Sequence, residues 1–170
     1  KNYFLTANHC GAAVSAADKN QWIFYFNYQT TGCANPGSEP GSNTITGCTM
    51  RSSASNGANS SVYGSDFLLV EFNGAIPASY NVYFAGFDAT NNASNSGVSI
   101  HHPSGDTKKI STYTTTTTSR RYYSQLPDNS HWQVNWAPTF ANYGITEPGS
   151  SGAPLFHSNG RIMGKLSGGP

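Results

Sequence analysis

Glu147-Pro148-Gly149-Ser150-Ser151-Gly152-Ala153-Pro154 sets a serine in a glycine-flanked turn just before the apolar pair Leu155-Phe156. Glycines on both sides of a serine let the backbone bend sharply and let a substrate carbonyl come close. Such a bend also aims successive N–H groups into a small anion-binding concavity. A nucleophilic serine needs both features, an exposed Oγ and nearby donors for an oxyanion. Taken by itself, the segment reads more readily as an ordinary tight turn before a strand.

Two further segments change that reading. Tyr3-Phe4-Leu5-Thr6-Ala7-Asn8-His9-Cys10-Gly11 is a hydrophobic strand that ends in a histidine beside a cysteine. Gly64-Ser65-Asp66-Phe67-Leu68-Leu69-Val70-Glu71-Phe72 puts a carboxylate at the mouth of an apolar strand. Singly, the histidine is a polar residue at a strand boundary and the aspartate a turn residue bonded to its own backbone. Together the three segments supply a base, an orienting carboxylate and a nucleophile. Their order along the chain, His then Asp then Ser, is that of the chymotrypsin type.

Thr6-Ala7-Asn8-His9-Cys10 resembles the histidine motif of trypsin-like serine proteases. Ser65-Asp66-Phe67-Leu68-Leu69 resembles their aspartate motif, and Gly149-Ser150-Ser151-Gly152-Ala153-Pro154 their serine motif. The closer resemblance is to bacterial secreted lysyl endopeptidases. It is carried by Tyr3-Phe4-Leu5-Thr6-Ala7, Ile100-His101-His102-Pro103, Thr146 to Gly152 and Leu166-Ser167-Gly168-Gly169-Pro170. It implies an all-β fold, a double Greek-key β-barrel of the trypsin-like type, truncated at both ends. A first barrel over residues 1–75 would carry His9 and Asp66. A linker over 76–81 would lead to a second barrel over 82–170 that carries Ser151. The resemblance also implies strands before Lys1 and the rest of the specificity pocket after Pro170, so the chain is expected to be a fragment.

Composition is consistent with a secreted all-β protein. Only 10% of residues are charged and 36% are hydrophobic, which argues against disorder. A net charge of +1 offers no electrostatic case for nucleic acid or an anionic membrane as partner. No run of 18 apolar residues marks a membrane span. The expected partners are polypeptide substrates, met by a monomer. Three cysteines, an odd number, leave one unpaired in a secreted chain. Cys33 and Cys48 bracket a Gly/Pro/Ser/Asn-rich loop and are expected to close it with a disulfide, although three free thiols are also consistent with the sequence. Cys10 then has no partner, because in the family its partner lies on the preceding strand. No C-x-x-C or paired Cys/His spacing suggests a metal, and no cofactor is expected.

The chain reads as short strands separated by turns, the pattern of sandwiches and barrels. Strands are expected at Asn2–Ala7, Trp22–Tyr28, Phe67–Phe72, Val82–Phe87, Gly97–His101, Lys108–Thr118 and Trp132–Trp136. Pro154–Phe156 and Arg161–Leu166 read as a hairpin about Ser158-Asn159-Gly160. Residues 29–61 form a polar excursion with weak strands at best, and Ala12–Asn20 is the one helix candidate. His101 and His102 alternate in and out of a strand, so one is expected to be exposed. His131 is expected at the surface.

The roles implied by the resemblance are specific. His9 takes the Oγ proton of Ser151, Asp66 holds the His9 tautomer, and the N–H groups of Gly149 and Ser151 form the oxyanion hole. Ser167, Gly168 and Gly169 pair with substrate backbone. Lysine preference rests on the resemblance alone, because Ile145 stands where trypsin has its pocket aspartate and the family's pocket carboxylate lies beyond Pro170. Ser167 stands where some lysyl endopeptidases have a histidine. Two other classes remain open. One is a catalytically inactive trypsin-like fold used as a binding module. The other is a carbohydrate-binding domain presenting Tyr122, Tyr123, Trp132 and Trp136.

Overall fold

The computed structural model describes residues 1–11, 13–55, 64–139 and 142–169. Ala12, residues 56–61 of the polar excursion and Pro170, all read above, lie outside them. The described chain is nearly all β. In order it forms β1 (Tyr3–Ala7), α1 (Ala16–Lys19), β2 (Ile23–Phe26), β3 (Asn43–Thr46), β4 (Cys48–Ala54) and β5 (Phe67–Phe72). These are followed by β6 (Gly97–His101), β7 (Lys109–Tyr113), β8 (Thr118–Arg120) and β9 (His131–Gln133). The last are β10 (Pro138–Thr139), β11 (Asn142–Tyr143), β12 (Pro154–His157) and β13 (Ile162–Lys165).

Two sheets position the site. The first is three-stranded and antiparallel, in the order β1-β5-β4. In β5 every second residue is inward, so Leu68, Val70 and Phe72 are buried. This is the two-residue period of a half-buried strand. Leu68, Val70 and Cys48 form the core of this sheet, with Trp22 and Phe24 packed against it. In β2 the same alternation leaves Ile23 and Tyr25 exposed while Phe24 turns to Phe72, ring centroids 4.7 Å apart and edge to face. Phe4 of β1 meets Phe24 at 5.2 Å. The dense aromatic run from Trp22 thus turns one side, with Trp22 and Phe24, toward the core and leaves Ile23 and Tyr25 in solvent.

The second sheet is four-stranded, in the order β13-β12-β6-β7, with every pairing antiparallel. Tyr113, buried on β7, reaches across β6 and donates its hydroxyl to Phe156 O at 2.9 Å. Neither sheet closes on itself among the described residues, so the barrels expected from the resemblance are met as open sheets. β1, for example, is an edge strand that pairs only with β5 among the described residues.

Several expectations need correction. No strand forms over Val82–Phe87, where a single parallel bridge from Phe87 to Ile162 is all that pairs. Its aromatics face outward, Phe87 being 76% exposed, and β propensity without a facing surface does not make a strand. The long strand read over Lys108–Thr118 breaks after Tyr113. There Thr117 turns inward, and its Oγ1 accepts from Ser94 N at 3.1 Å. The strand read over Trp132–Trp136 shortens to β9. Conversely, the polar excursion contains β4, at seven residues the longest strand described, because its backbone pairs with β5 from Cys48 to Ala54, with one irregularity between Met50 and Ser52. The weak helical turn read over Ala12–Asn20 is α1, a single turn capped by Ser15 Oγ, which accepts from Asp18 N at 3.1 Å.

The Cys33–Cys48 disulfide is absent, and all three cysteines are free. Cys48 is buried at the start of β4 and its thiol points to Lys19 O at 3.7 Å, while Cys33 lies exposed in the loop. The pairing of β4 with β5 turns Cys48 into the core and away from the loop it was expected to close.

Candidate active site

The register between β1 and β5 explains why His9 meets Asp66. Tyr3 pairs with Glu71 and Ala7 with Phe67, so continuing the ladder one step sets Asn8 opposite Asp66. The step is made: Asn8 N donates to Asp66 O at 2.7 Å. Beyond it, β1 curls into a turn over Asn8–Cys10 that swings His9 over the aspartate. Asp66 sits at φ 56°, the left-handed region, which Asp tolerates better than most residues. That conformation aims its carboxylate at the turn.

The carboxylate is fully engaged. Oδ1 accepts from His9 N at 2.9 Å, and Oδ2 accepts from His9 Nδ1 at 2.7 Å. Lys165 Nζ donates to the same Oδ2 at 3.2 Å. The Asp66 side chain is 1% exposed. Burial pushes its carboxyl upward, but the bond from the His9 ring, the Lys165 charge and the His9 N–H outweigh burial and hold it below the usual range. An ionised carboxylate can only accept, so Nδ1 of His9 carries a proton, and in the neutral ring Nε2 is then the acceptor. Nε2 meets Ser151 Oγ at 2.9 Å. The His9 side chain is 36% exposed, so the base faces solvent while the aspartate does not.

Ser151 comes from the other sheet, three residues before β12. Gly152 N donates to Leu166 O and Leu166 N to Ala153 O, both at 2.8 Å, which zips the serine turn to the chain leaving β13. Gly152 has φ +83°, and a Cβ there would lie 2.2 Å from Thr6 Oγ1 and 2.7 Å from Ala7 N. Only glycine lets the turn sit flush on β1, the contact that brings Ser151 to His9. Gly149 has φ +93° and faces the chain at His102–Gly105, where Ser104 N donates to Pro148 O at 2.8 Å. The N–H groups of Gly149 and Ser151 meet no acceptor among the described residues.

Ser150 faces the opposite way. It is buried, and its Oγ meets Nδ1 of His101 at 2.8 Å. The other ring nitrogen of His101 meets Ser111 Oγ, also at 2.8 Å. A neutral imidazole between two hydroxyls donates at one nitrogen and accepts at the other. Burial, with His102 nearby, pushes the His101 pKa down and keeps the ring neutral, against a small opposing pull from Glu147. His101 therefore braces the serine turn from below, a role its place on an alternating strand does not reveal. Its neighbour His102, expected at the surface if His101 is inside, is half-buried.

His131 is not at the surface either. It is half-buried on β9, its Nε2 is buried without a partner among the described residues, and burial lowers its pKa. Ser167, Gly168 and Gly169 follow β13 in no regular element and make no backbone hydrogen bond to a described residue. The Tyr122 hydroxyl lies 2.4 Å from where a Cβ of Gly168 would stand, which explains the glycine. Among the described residues no group of three His, Cys, Asp or Glu side chains could hold a metal ion.

The residue the sequence did not signal is Lys165. A lysine at the end of a strand ordinarily keeps its ammonium in water. Here its side chain is 6% exposed and crosses from the second sheet to Asp66 on the first.

A comparison with protein-family models matches residues 1–170 to the family described as lysyl endopeptidase, C-terminal domain. The chain belongs to that family.

Proposed function

We propose that this lysyl endopeptidase relative is a secreted serine endopeptidase that hydrolyses peptide bonds after lysine, with Ser151 as nucleophile. The observation that carries the reading is the position of His9, whose two ring nitrogens meet Asp66 at 2.7 Å and Ser151 at 2.9 Å. A serine hydroxyl is a poor nucleophile at its own pKa and needs such a base. His9 Nε2 would take the Oγ proton as Oγ adds to the scissile carbonyl. The oxyanion would then be met by the free N–H groups of Gly149 and Ser151. Collapse of the tetrahedral species would break the C–N bond, His9 returning its proton to the leaving amine. Water would repeat the sequence on the acyl-enzyme and release the acid. Asp66 would remain ionised throughout, holding Nδ1–H and stabilising the imidazolium.

The backbone of Ser167–Gly169, without a backbone partner among the described residues, suits addition of a substrate strand beside the serine turn. In this reading residues 1–75 and 82–170 are two halves of one catalytic unit that meet at the site, and 76–81 link them. Lysine preference is supported by family membership alone. Ile145 is 55% exposed, and Glu147 is an exposed carboxylate already accepting from Ser104 Oγ at 3.0 Å. Neither makes a buried cation pocket. The test is cleavage of a peptide library by the protein and by its Ser151→Ala variant. Cuts after lysine that vanish in the variant support the proposal. Cuts after aromatic residues would remove the lysine assignment, and no Ser151-dependent cut would remove the enzyme.

A further inference from the structure

Lys165 and His9 approach the same carboxylate oxygen from opposite sheets. Lys165 Nζ lies 3.2 Å from Asp66 Oδ2 and His9 Nδ1 lies 2.7 Å from it. The ammonium and the imidazole nitrogen are thus no more than about 6 Å apart, within the range at which charges couple strongly across a buried group. Asp66 and Lys165 are 1% and 6% exposed, so little water screens them. Lys165 also donates to Ser167 Oγ at 2.5 Å, and β13 holds it in register opposite Pro154, at the head of the strand that follows Ser151.

We propose that Lys165 is a positioning residue for the His9–Asp66 pair, pinning the carboxylate and setting the acid limit of the activity. This rests on the endopeptidase reading above. The sign follows from the charges. An imidazolium forming on His9 is attracted by Asp66 and repelled by the ammonium that shares its oxygen. Lys165 therefore disfavours protonation of the base and extends its free-base form to lower pH. In exchange it weakens the stabilisation Asp66 gives the imidazolium in the transition state.

The other titratable groups facing this cluster do not supply the same charge. Cys10, beside Asp66 and Lys165, has its thiol pushed up, first by burial and then by Asp66, so it is neutral where His9 must act. His131, which feels both Lys165 and Asp66, is kept neutral by burial. Burial also lowers the pKa of Lys165 itself, opposed by the attraction and hydrogen bond of Asp66. Among the described residues, Lys165 and the His9 ring are the side chains bonded to this carboxylate, and of the two only Lys165 brings an ammonium.

The test uses Lys165→Gln, which keeps a donor without the charge, and Lys165→Arg, which keeps the charge. The pH at which the His9 ring takes up its proton is followed by NMR, and the acid limb of kcat/KM is followed on a peptide substrate. In Lys165→Gln both should move to higher pH by roughly one unit. In Lys165→Arg both should stay within about a few tenths of a unit of the parent. A folded Lys165→Gln protein whose His9 titrates as in the parent overturns the proposal. If Lys165→Gln does not fold, the parent decides. The 15N resonance of Lys165 should shift in step with His9 protonation, and an indifferent resonance overturns the coupling. The NMR titration needs no turnover. A protein that shows the shift but cleaves nothing would refute the endopeptidase reading while leaving the electrostatic coupling intact.

Discussion

Replacing Gly152 by alanine tests how closely the serine turn is seated on β1. The new Cβ would stand 2.2 Å from Thr6 Oγ1, 2.7 Å from Ala7 N and 2.9 Å from Thr6 Cα. Two of those atoms belong to the backbone of a strand held by β5, so they cannot rotate away as a side-chain tip can. Gly152 also has φ +83°, and the left-handed region costs an L-residue about 1–2 kcal/mol. Overpacking adds about 1–3 kcal/mol, for a total of about 2–5 kcal/mol. In a chain of this size that corresponds to a fall in Tm of roughly 4–20 °C. Relief by moving the turn about 1 Å off β1 would stretch the contact between Ser151 and His9, and misplacement on that scale costs about 10²-fold in rate. Gly160 provides the control, because it has φ +78° but nothing within 4 Å of its virtual Cβ. Gly160→Ala should lose only the conformational part, about 1–2 kcal/mol, and no activity. Calorimetric melts and kcat on a peptide substrate measure both. If Gly152→Ala melts with Gly160→Ala and turns over at the parental rate, the seating argument fails.

Ser150→Ala leaves the ring of His101 without one of its two partners in a buried site. It should cost about 1–3 kcal/mol in a chemical melt while leaving covalent labelling of Ser151 intact. Asp66→Asn can set an amide NH2 where Oδ2 accepts from His9 Nδ1, which favours the wrong tautomer, and should lower kcat by about 10⁴-fold near neutral pH. The depressed Asp66 carboxyl contributes stability that is complete above its unfolded value of about 3.9 and is lost as pH falls through the folded one. Asp66→Asn should therefore flatten the acid end of a Tm-against-pH curve. His101 is also depressed in the fold, so its contribution is complete above the unfolded value of about 6.5 and fades as pH drops toward the folded one. His101→Gln should reduce the slope of stability between about pH 7 and 5, and an unchanged slope would mean that the ring is not held neutral.

The three motifs were legible because each sits at a strand end where local chemistry shows in one dimension. Thr6-Ala7-Asn8-His9, Gly64-Ser65-Asp66 and Gly149-Ser150-Ser151-Gly152 each combine a strand with a turn former and one polar side chain. The structure brings His9, Asp66 and Ser151 within hydrogen-bond reach. What supports them was not legible. Lys165 lies on β13 among Ile162, Met163 and Gly164, and nothing in that run says its ammonium crosses to another sheet. The bracing of Ser150 by His101 depends on β6 pairing with both β7 and β12, a contact between residues 49 apart in sequence. The strand errors have the same origin. Tyr83, Phe84 and Phe87 have strand propensity but no facing surface, whereas β4 is polar and exists because β5 pairs with it.

The central claim, that Ser151 is a nucleophile activated by His9, is tested most directly by a fluorophosphonate probe followed by peptide mapping of the intact protein. The account predicts one phosphonyl adduct, on Ser151, with formation rising as His9 loses its proton and abolished in His9→Ala. An adduct on Ser150, or no adduct on a folded protein at any pH, would contradict it.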